Sequence, residues 1–266
     1  LQGMAATYLD KIVAVHRERA AADTRIWSQR TVISSAPSLR EAIKQHRMHG
    51  NAVIAEVKRK SPSKGWLNEH LDPAQVASDY VAGGATGISV LTDTPHFGGS
   101  FQDLSIVRGA VSAPILRKDF TVSINDVLDT AEIGASAVLL IAAALSLDEL
   151  REFHHVALEI GLDALVEVHD VAEAERALSI GATFIGVNQR NLHTFSVDTE
   201  RAEAVVDVLP SSVVAVAESG FSDPLKVARA AKAGFDAVLV GESFVTSGSM
   251  SAAVSQFVGH PIGSRD

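Results

Sequence analysis

The sequence predicts an α/β fold, a closed (β/α)8 or TIM barrel with a helical N-terminal extension. The first observation is a recurring unit of helix, glycine turn and strand, whose turns begin at Gly84, Gly134, Gly161, Gly181 and Gly234. A glycine in this position ends a helix, and the residues after it enter a strand. The second observation is the alternation of helices with eight apolar strand candidates, which favours a closed barrel. An open doubly wound sheet alternates in the same way, but no Gly-x-Gly-x-x-Gly follows the first strand.

The predicted elements form a single domain, made of an extension at residues 1–50 and a barrel at residues 51–260. The extension is predicted to be helical around 5–22 and 38–48 and to pack against one end of the barrel. The predicted strands are 52–58, 87–92, 114–119, 137–142, 164–168, 184–188, 213–217 and 237–241. The predicted helices of the barrel are 73–83, 101–111, 124–134, 146–160, 170–180, 199–208, 223–233 and 250–258. Asp72-Pro73 and Asp223-Pro224 are typical helix starts, because aspartate caps the helix and proline suits its first turn.

The first strand is apolar until its carboxyl end and then becomes charged. Side chains alternate along a strand, so Ile54, Glu56 and Lys58 share one face, and an acid and a base emerge together where the strand stops. The turn 61–65 follows with hydroxyls, a cation and a glycine. Sites of α/β enzymes form at such strand ends, although a single ion pair is equally well a structural one.

The later strands repeat this pattern. Four later strands each have an inward-facing row of side chains that ends in polar groups. These groups are Lys118, Glu167, Asn188 with Arg190, and Glu218. Because the carboxyl ends of all strands of a barrel converge on one mouth, we expect these groups to meet in a catalytic site.

The last two strands predict a phosphate site. They end in Glu218-Ser219-Gly220 and Gly241-Glu242-Ser243, where barrels often bind phosphate through backbone N–H groups. Glycine lets the backbone approach an anion closely, and Ser61 in the first loop is a further hydroxyl donor.

Composition excludes several classes of function. The net charge of −9 argues against general nucleic-acid binding, although a local group of cations can still attract a small anion. Without cysteine there is no disulfide, thiolate catalysis or cysteine-ligated metal. The longest apolar run, 137–145, is shorter than the ~18 residues of a membrane span, and no leader opens the chain, so we expect a cytoplasmic protein. The histidines lack metal-ligand spacing, which predicts no metal site, and His154 and His155 are expected on a helix surface.

These residues resemble the indole-3-glycerol phosphate synthase family, in order and with natural spacing from about residue 7 to 258. The resemblance lies in Ile54-Ala-Glu-Val-Lys-Arg-Lys-Ser-Pro-Ser-Lys-Gly65, Ser89-Val-Leu-Thr-Asp93 with Phe97-Gly-Gly-Ser100, Leu116-Arg-Lys-Asp-Phe120, Leu165-Val-Glu-Val-His169, Gly186-Val-Asn-Gln-Arg-Asn-Leu192, Ala217-Glu-Ser-Gly220 and Val238-Leu-Val-Gly-Glu-Ser243.

The resemblance implies a carboxy-lyase of tryptophan biosynthesis that acts without a cofactor. Such enzymes close the ring of 1-(2-carboxyphenylamino)-1-deoxyribulose 5-phosphate with loss of carbon dioxide and water. That small anionic substrate explains cations in the mouth of an acidic protein. The chain ends soon after the eighth helix, so we expect no fused isomerase domain, and a monomer is compatible with the sequence.

The resemblance also implies a role for each residue of the site. Lys118 is expected to be the general acid of ring closure, Lys58 to hold the departing carboxylate and Glu167 to act in dehydration. Glu56 and Asn188 are expected to position the lysines and the substrate hydroxyls. The substrate-binding residues are expected to be Arg190, Glu218, Ser219, Phe97 and Phe120, and the phosphate-binding ones Ser61, Gly220, Gly241 and Glu242. Crowding by other cations and burial are expected to lower the pKa of the catalytic lysine.

Two departures from the family pattern stand out. Residues 123–126 read Ser-Ile-Asn-Asp where the family often has Asp-Pro-Tyr-Gln, and Gln189 stands where many members have asparagine. Three other functions remain open from the residues. They are a Schiff-base lyase or aldolase that uses Lys118, an isomerase of another sugar phosphate, and a non-catalytic binder of a phosphate ligand.

Overall fold

The structure, a computed structural model, describes residues 7–191 and 196–265. Eight parallel strands close into a barrel, in which each strand pairs with the next along the chain and the first pairs with the last. The strands are Ala52–Val57, Gly87–Leu91, Ile115–Lys118, Ala137–Ile141, Asp163–Val168, Phe184–Asn188, Val214–Glu218 and Ala237–Val240. Each strand begins and ends within one residue of its predicted span, so the barrel prediction is confirmed.

Helices separate the strands as predicted. They are Pro73–Ala82, Phe101–Ala110, Ile124–Glu132, Leu147–Glu159, Val171–Ser179, Thr199–Asp207, Pro224–Lys232 and Met250–Ser255. The glycines that were predicted to end helices all have a positive φ, between +76° and +104°, which residues with a Cβ rarely adopt. None of the helices in the described part of the chain is long and apolar enough to cross a membrane.

Several short elements were not predicted, because they are too short for a periodic pattern. They are the helices Thr94–Phe97 and Glu242–Val245, the 3-10 turns Trp27–Gln29 and Ala142–Ala144, and a hairpin of Lys60–Ser61 with Gly65–Trp66. The 3-10 turn Arg47–His49 lies at the end of the predicted helix 38–48. The hairpin and the helix Glu242–Val245 directly follow the first and the last strand, so both border the mouth.

Strand alternation divides the apolar side chains into two cores. Outward-facing residues such as Val53 pack between the strands and the helices. Inward-facing residues such as Ile54 and Leu116 fill the barrel interior. Because alternate residues share a face, the inward rows continue at the carboxyl ends into Glu56 and Lys118. The barrel interior therefore ends in a layer of ionisable groups.

The extension contacts both ends of the barrel, where we expected contact with one. Its first helix, Tyr8–Ala21, lies over the mouth, and its residues Leu9 and Ile12 line the cavity there. Its second helix, Leu39–His46, lies at the opposite end, where a Cβ at Gly87 would overlap the Leu39 side chain. Residues 1–6, part of the predicted extension, lie outside the described chain.

The unusual segment at residues 123–126 joins the extension to the barrel. Ser123 caps the helix that follows, since its Oγ accepts from the Asp126 N–H at 3.1 Å. The Asp126 carboxylate lies 2.6 Å from Arg19, and the Asn125 amide donates to Asp23 at 3.0 Å. This departure from the family pattern therefore forms an anchor for the extension.

The expected surface position of His154 is wrong. Helix Leu147–Glu159 buries Leu150 and Ala157 against the strands, and His154 lies on the same face because it is four residues after one and three before the other. His155 points away from that face and is exposed.

Candidate active site

All residues predicted for the site line two adjoining cavities at the carboxyl ends of the strands. The first, of about 160 Å³, is lined by the predicted residues Glu56, Lys58, Ser61, Phe97, Lys118, Phe120, Glu167, Asn188, Arg190, Ser219 and Glu242. The second, of about 200 Å³, adds Glu218, Gly220 and Gly241 and shares several walls with the first. The two cavities are therefore parts of one site. Leu192, the last residue of a quoted motif, lies outside the described residues.

Glu56 and Lys58 form the ion pair predicted from strand alternation. Lys58 Nζ lies 2.9 Å from Glu56 Oε1, and Ser89 Oγ donates to Glu56 Oε2 at 3.1 Å. Burial raises the pKa of Glu56, but the charges of Lys58 and Lys118 outweigh burial and hold that pKa below its usual value. Glu56 is therefore an anion that holds Lys58 against the cavity wall.

Lys118 lies between two carboxyl groups. Its Nζ is 3.5 Å from Glu167 Oε2 and 3.6 Å from Glu218 Oε2. The expectation that its pKa is lowered is wrong. Burial does lower the pKa of Lys118, but Glu167, Glu218 and Glu56 outweigh burial and raise it. Carboxylates rather than cations surround the amine, so Lys118 is an ammonium group that can donate a proton at neutral pH.

Glu167 and Glu218 are buried neighbours that share Lys118 Nζ as a partner. Burial and the negative charge of Glu167 raise the pKa of Glu218 well above its usual value. Burial also raises the pKa of Glu167, but Lys118 and His169 outweigh burial and lower it. Because two adjacent buried carboxylates do not both ionise readily, we assign the shared proton to Glu218 and the negative charge to Glu167.

Gly186 leaves the space that the Glu218 carboxyl group occupies, since a Cβ at Gly186 would overlap Glu218 Oε1. We expect Gly186→Ala to displace that group from Lys118 and to lower kcat by about 10- to 100-fold, as small misplacements of catalytic groups do. Steady-state turnover measures the effect. Gly109→Ala is the matched control, because beyond the neighbouring backbone of its own helix no described atom lies within 4 Å of the added Cβ. Equal kcat values for the two variants would contradict this account of Glu218.

Asn188 connects Glu167 to the turn after the seventh strand. Its Nδ2 donates to Glu167 Oε1 at 3.1 Å, and its Oδ1 accepts from Ser219 Oγ at 2.9 Å. Ser219 has a φ of +72°, a left-handed conformation that is costly for a residue with a Cβ. The Gln189 amide donates to the Ser219 carbonyl at 3.0 Å. Gln189, the second departure from the family pattern, therefore supports this strained turn.

The turns after the last two strands require glycine. Gly220 has a φ of +83°, and a Cβ at Gly241 would lie 2.9 Å from Glu56 Oε1. With small residues at both positions, the backbone N–H groups around the second cavity stay accessible to an anion.

Two lysines lie at the second cavity, Lys226 in its wall and Lys64 beside the wall residue Glu242. Lys64 forms an ion pair with the Glu242 carboxylate and donates its backbone N–H to Ser61 Oγ at 3.1 Å. Lys226 lines the cavity and donates to Ser222 Oγ at 2.8 Å. Lys226 was missed, although its place in the first turn after Asp223-Pro224 was a signal that it lies near the mouth.

An apolar wall closes the first cavity. The rings of Phe97 and Phe120 lie 6.1 Å apart with an interplanar angle of 32°. The wall also contains residues that sequence reasoning missed, namely Tyr8, Leu9, Ile12, Leu91, Leu139 and Ile141. The strand residues among them could have been found from alternation, whereas those of the extension carry no local signal of their position.

His16 ties the extension to this wall. Its Nε2 lies 2.8 Å from Asp93 Oδ2 and 3.8 Å from Asp119 Oδ1, and its ring packs on Phe120 at 5.3 Å. The same three side chains could together face a metal ion. However, Thr92 Oγ1 and a backbone N–H already donate to the Asp119 carboxylate, so the structure explains this cluster as a link between elements.

The fold and the site together define a (β/α)8-barrel enzyme whose ionisable groups gather at the carboxyl ends of the strands. The sequence model of the indole-3-glycerol phosphate synthase family matches residues 4–257. The chain belongs to this family.

Similar proteins carry the same family name. An indole-3-glycerol phosphate synthase of Nocardioides sp. is 48% identical over 255 residues, which cover 94% of this chain and 98% of that protein. One of Beutenbergia cavernae is 53% identical over 207 residues, covering 78% of this chain and 77% of that protein. One of Mycolicibacterium gilvum is 44% identical over 256 residues, covering 95% and 94%.

Two solved structures share the fold at low sequence identity. A thiamine phosphate pyrophosphorylase from Pyrococcus furiosus has a TM-score of 0.58 and 17% identity, covering 79% of this chain and 95% of that chain. An N-acetylmannosamine-6-phosphate 2-epimerase from Clostridium perfringens has a TM-score of 0.58 and 14% identity, covering 76% and 89%. At this identity they support the barrel architecture alone.

Proposed function

We propose that the chain converts 1-(2-carboxyphenylamino)-1-deoxyribulose 5-phosphate into indole-3-glycerol phosphate, with loss of carbon dioxide and water. The observation that carries the proposal is the Lys118 ammonium group, held between Glu167 and Glu218 beside the Glu56–Lys58 pair. Ring closure needs an acid at a ketone and dehydration needs a base nearby, and this cluster supplies both.

In the first step Lys118 donates a proton to the ketone oxygen while the aromatic carbon that bears the carboxylate attacks the ketone carbon. Lys58 holds the carboxylate until it leaves as carbon dioxide, which restores the aromatic ring. Glu56 keeps Lys58 in place through the 2.9 Å ion pair.

In the second step the new hydroxyl group leaves as water with a proton from a lysine. Glu167 takes a proton from the ring CH2 carbon next to the nitrogen, so that the carbon–carbon double bond of the indole forms and the ring keeps its N–H. Asn188 orients Glu167 through its 3.1 Å hydrogen bond. Two protons are donated and one is taken back, so each turnover takes up one proton. The reason is that the substrate carboxylate departs as neutral carbon dioxide.

The remaining residues bind the substrate. Ser61, Gly220, Gly241 and the backbone of Glu242 surround the phosphate, while Arg190, Ser219 and Glu218 shape the middle of the site. Phe97 and Phe120 flank the aromatic ring. We also propose that the enzyme acts on one small anionic substrate and is located in the cytoplasm. It also takes the extension 1–50 and the barrel 51–260 as a single domain, since the helix Tyr8–Ala21 completes the wall of the site.

The test is to incubate the purified protein with the proposed substrate, without added metal or cofactor, and to follow indole fluorescence. Growth of the indole signal is the expected result. Binding without an indole product would overturn the proposal and favour a phosphate-ligand binder, and a borohydride-trapped adduct would favour a Schiff-base lyase. A Schiff-base lysine must be neutral to attack a carbonyl, whereas the carboxylates around Lys118 raise its pKa.

A further inference from the structure

A buried histidine with no role in the proposed chemistry lies next to Glu167. His169 follows the fifth strand directly, and its Nε2 lies 3.5 Å from Glu167 Oε1. On the other side of the ring, Nδ1 lies 3.0 Å from Glu173 Oε2, which also accepts the His169 backbone N–H at 2.8 Å. The imidazole therefore lies between two carboxyl groups, one in the catalytic cluster and one in the first turn of helix Val171–Ser179.

The hydrogen bonds determine where the proton of the ring is. An ionised carboxylate only accepts, so Nδ1 carries a proton and donates it to Glu173. Nε2 is buried and has no hydrogen-bond partner among the described residues, and it faces Glu167. Either Nε2 is protonated and faces an ionised Glu167, or a protonated Glu167 faces the lone pair of Nε2. One proton can therefore move between Glu167 and His169.

Exposure increases along the three side chains. The exposed fraction is 4% for Glu167, 9% for His169 and 17% for Glu173. On the other side of Glu167, Lys118 Nζ is 3.5 Å away. These contacts form a continuous path from the helix surface to the proposed acid, and the path does not cross the cavity that the substrate fills.

We propose that His169, held by Glu173, forms a proton relay that supplies Glu167 from the protonated ring while the substrate occupies the mouth. The inference rests on the proposed function, in which each turnover takes up one proton. The ring begins with a proton on each nitrogen, and Nδ1 keeps its proton hydrogen-bonded to Glu173. Nε2 releases its proton to Glu167, and Glu167 returns one to Lys118. No group is oxidised or reduced. After the product leaves the mouth, water restores the Nε2 proton through Glu167, which lines the cavity. His169 acts through Glu167 and does not touch the substrate.

The charges around His169 suit this role. Burial lowers its pKa, but Glu173 and Glu167 outweigh burial and raise it, while Arg201 on helix Thr199–Asp207 opposes them. The ring is therefore protonated to a higher pH than an ordinary histidine. Loss of the relay should lower kcat most at alkaline pH, because water delivers protons directly most slowly there.

The chain offers a matched control. His155 and Glu159 have the same four-residue spacing, with His155 Nε2 3.1 Å from Glu159 Oε1, but both are exposed on helix Leu147–Glu159. We expect His169→Gln to lower kcat about tenfold, less than loss of a direct acid or base, to leave KM within about twofold and to move the alkaline limb of the kcat profile to lower pH. Glu173→Gln should do the same to a lesser degree, and His155→Gln should match the wild type.

Two further readouts separate a relay from a structural role. Added imidazole should restore kcat of His169→Ala, which a purely structural defect would not allow. In NMR titrations of histidine, Glu167→Gln should lower the pKa of His169, a result that does not depend on turnover. If the wild type makes no indole product, the proposed function fails, while the titration still reports the contact. If His169→Gln has the kcat and pH profile of His155→Gln, or if imidazole has no effect, the relay is wrong.

Discussion

Lys118→Ala is expected to lower kcat by about 10²- to 10⁴-fold, because a positioned general acid contributes that much to rate. The loss corresponds to roughly 3–5 kcal/mol of transition-state stabilisation. Lys118 lies at the end of an inward row in the barrel, with carboxyl groups at 3.5 and 3.6 Å. No other described cation has the same two partners, so the proton for the ketone oxygen would have to come from Lys58 or from water.

The experiment needs a control for folding, because the variant leaves buried carboxyl groups without their cation. Those groups can take up protons instead, so we expect a folded protein by circular dichroism. Lys232→Ala, at the exposed end of helix Pro224–Lys232, should retain wild-type kcat. A folded Lys118→Ala protein with kcat within threefold of the wild type would remove Lys118 from the role of general acid.

Glu167→Gln is expected to lower kcat by about 10²- to 10⁴-fold, because the amide cannot take the proton that the ring CH2 carbon loses during dehydration. The amide oxygen can still accept the Asn188 hydrogen bond, so the geometry of the site should persist. One of the carboxylates that raise the pKa of Lys118 is then missing. The pKa of Lys118 should fall, and the alkaline limb of the kcat profile should move to lower pH.

Full pH profiles of kcat and of kcat/KM measure both effects of Glu167→Gln. Glu175→Gln, on the exposed face of the neighbouring helix Val171–Ser179, serves as the matched control. A Glu167→Gln protein that turns over normally with an unchanged profile would transfer the role of base to Glu218 or Glu56.

Strand alternation was sufficient to predict the layer of ionisable groups at the mouth. A period of two residues places Glu56 and Lys58 on one face, and the closed barrel brings Lys118, Glu167 and Glu218 to the same mouth. The shared face follows from the local sequence pattern and the shared mouth follows from the barrel topology. Neither prediction requires knowledge of interatomic distances.

The features that were missed depend on distances or on long-range packing. The pKa of Lys118 was expected to be lowered and is raised. The sequence shows which charged groups reach the mouth, but it does not show that carboxyl groups lie nearest to the amine. Leu9 and Ile12 reach the site because the first helix lies over the mouth. The helix was predicted, but no pattern in the sequence shows where it packs. The pair of His169 and Glu173 was visible as a four-residue spacing, but its contact with Glu167 depends on the end of the fifth strand.

The most direct test of the central claim is to count products from a substrate labelled at its carboxyl carbon. The proposed reaction predicts one labelled carbon dioxide for each indole formed, with both products lost together in Lys118→Ala. Conversion of the substrate without labelled carbon dioxide would contradict decarboxylative ring closure and would point to an isomerase or a Schiff-base lyase.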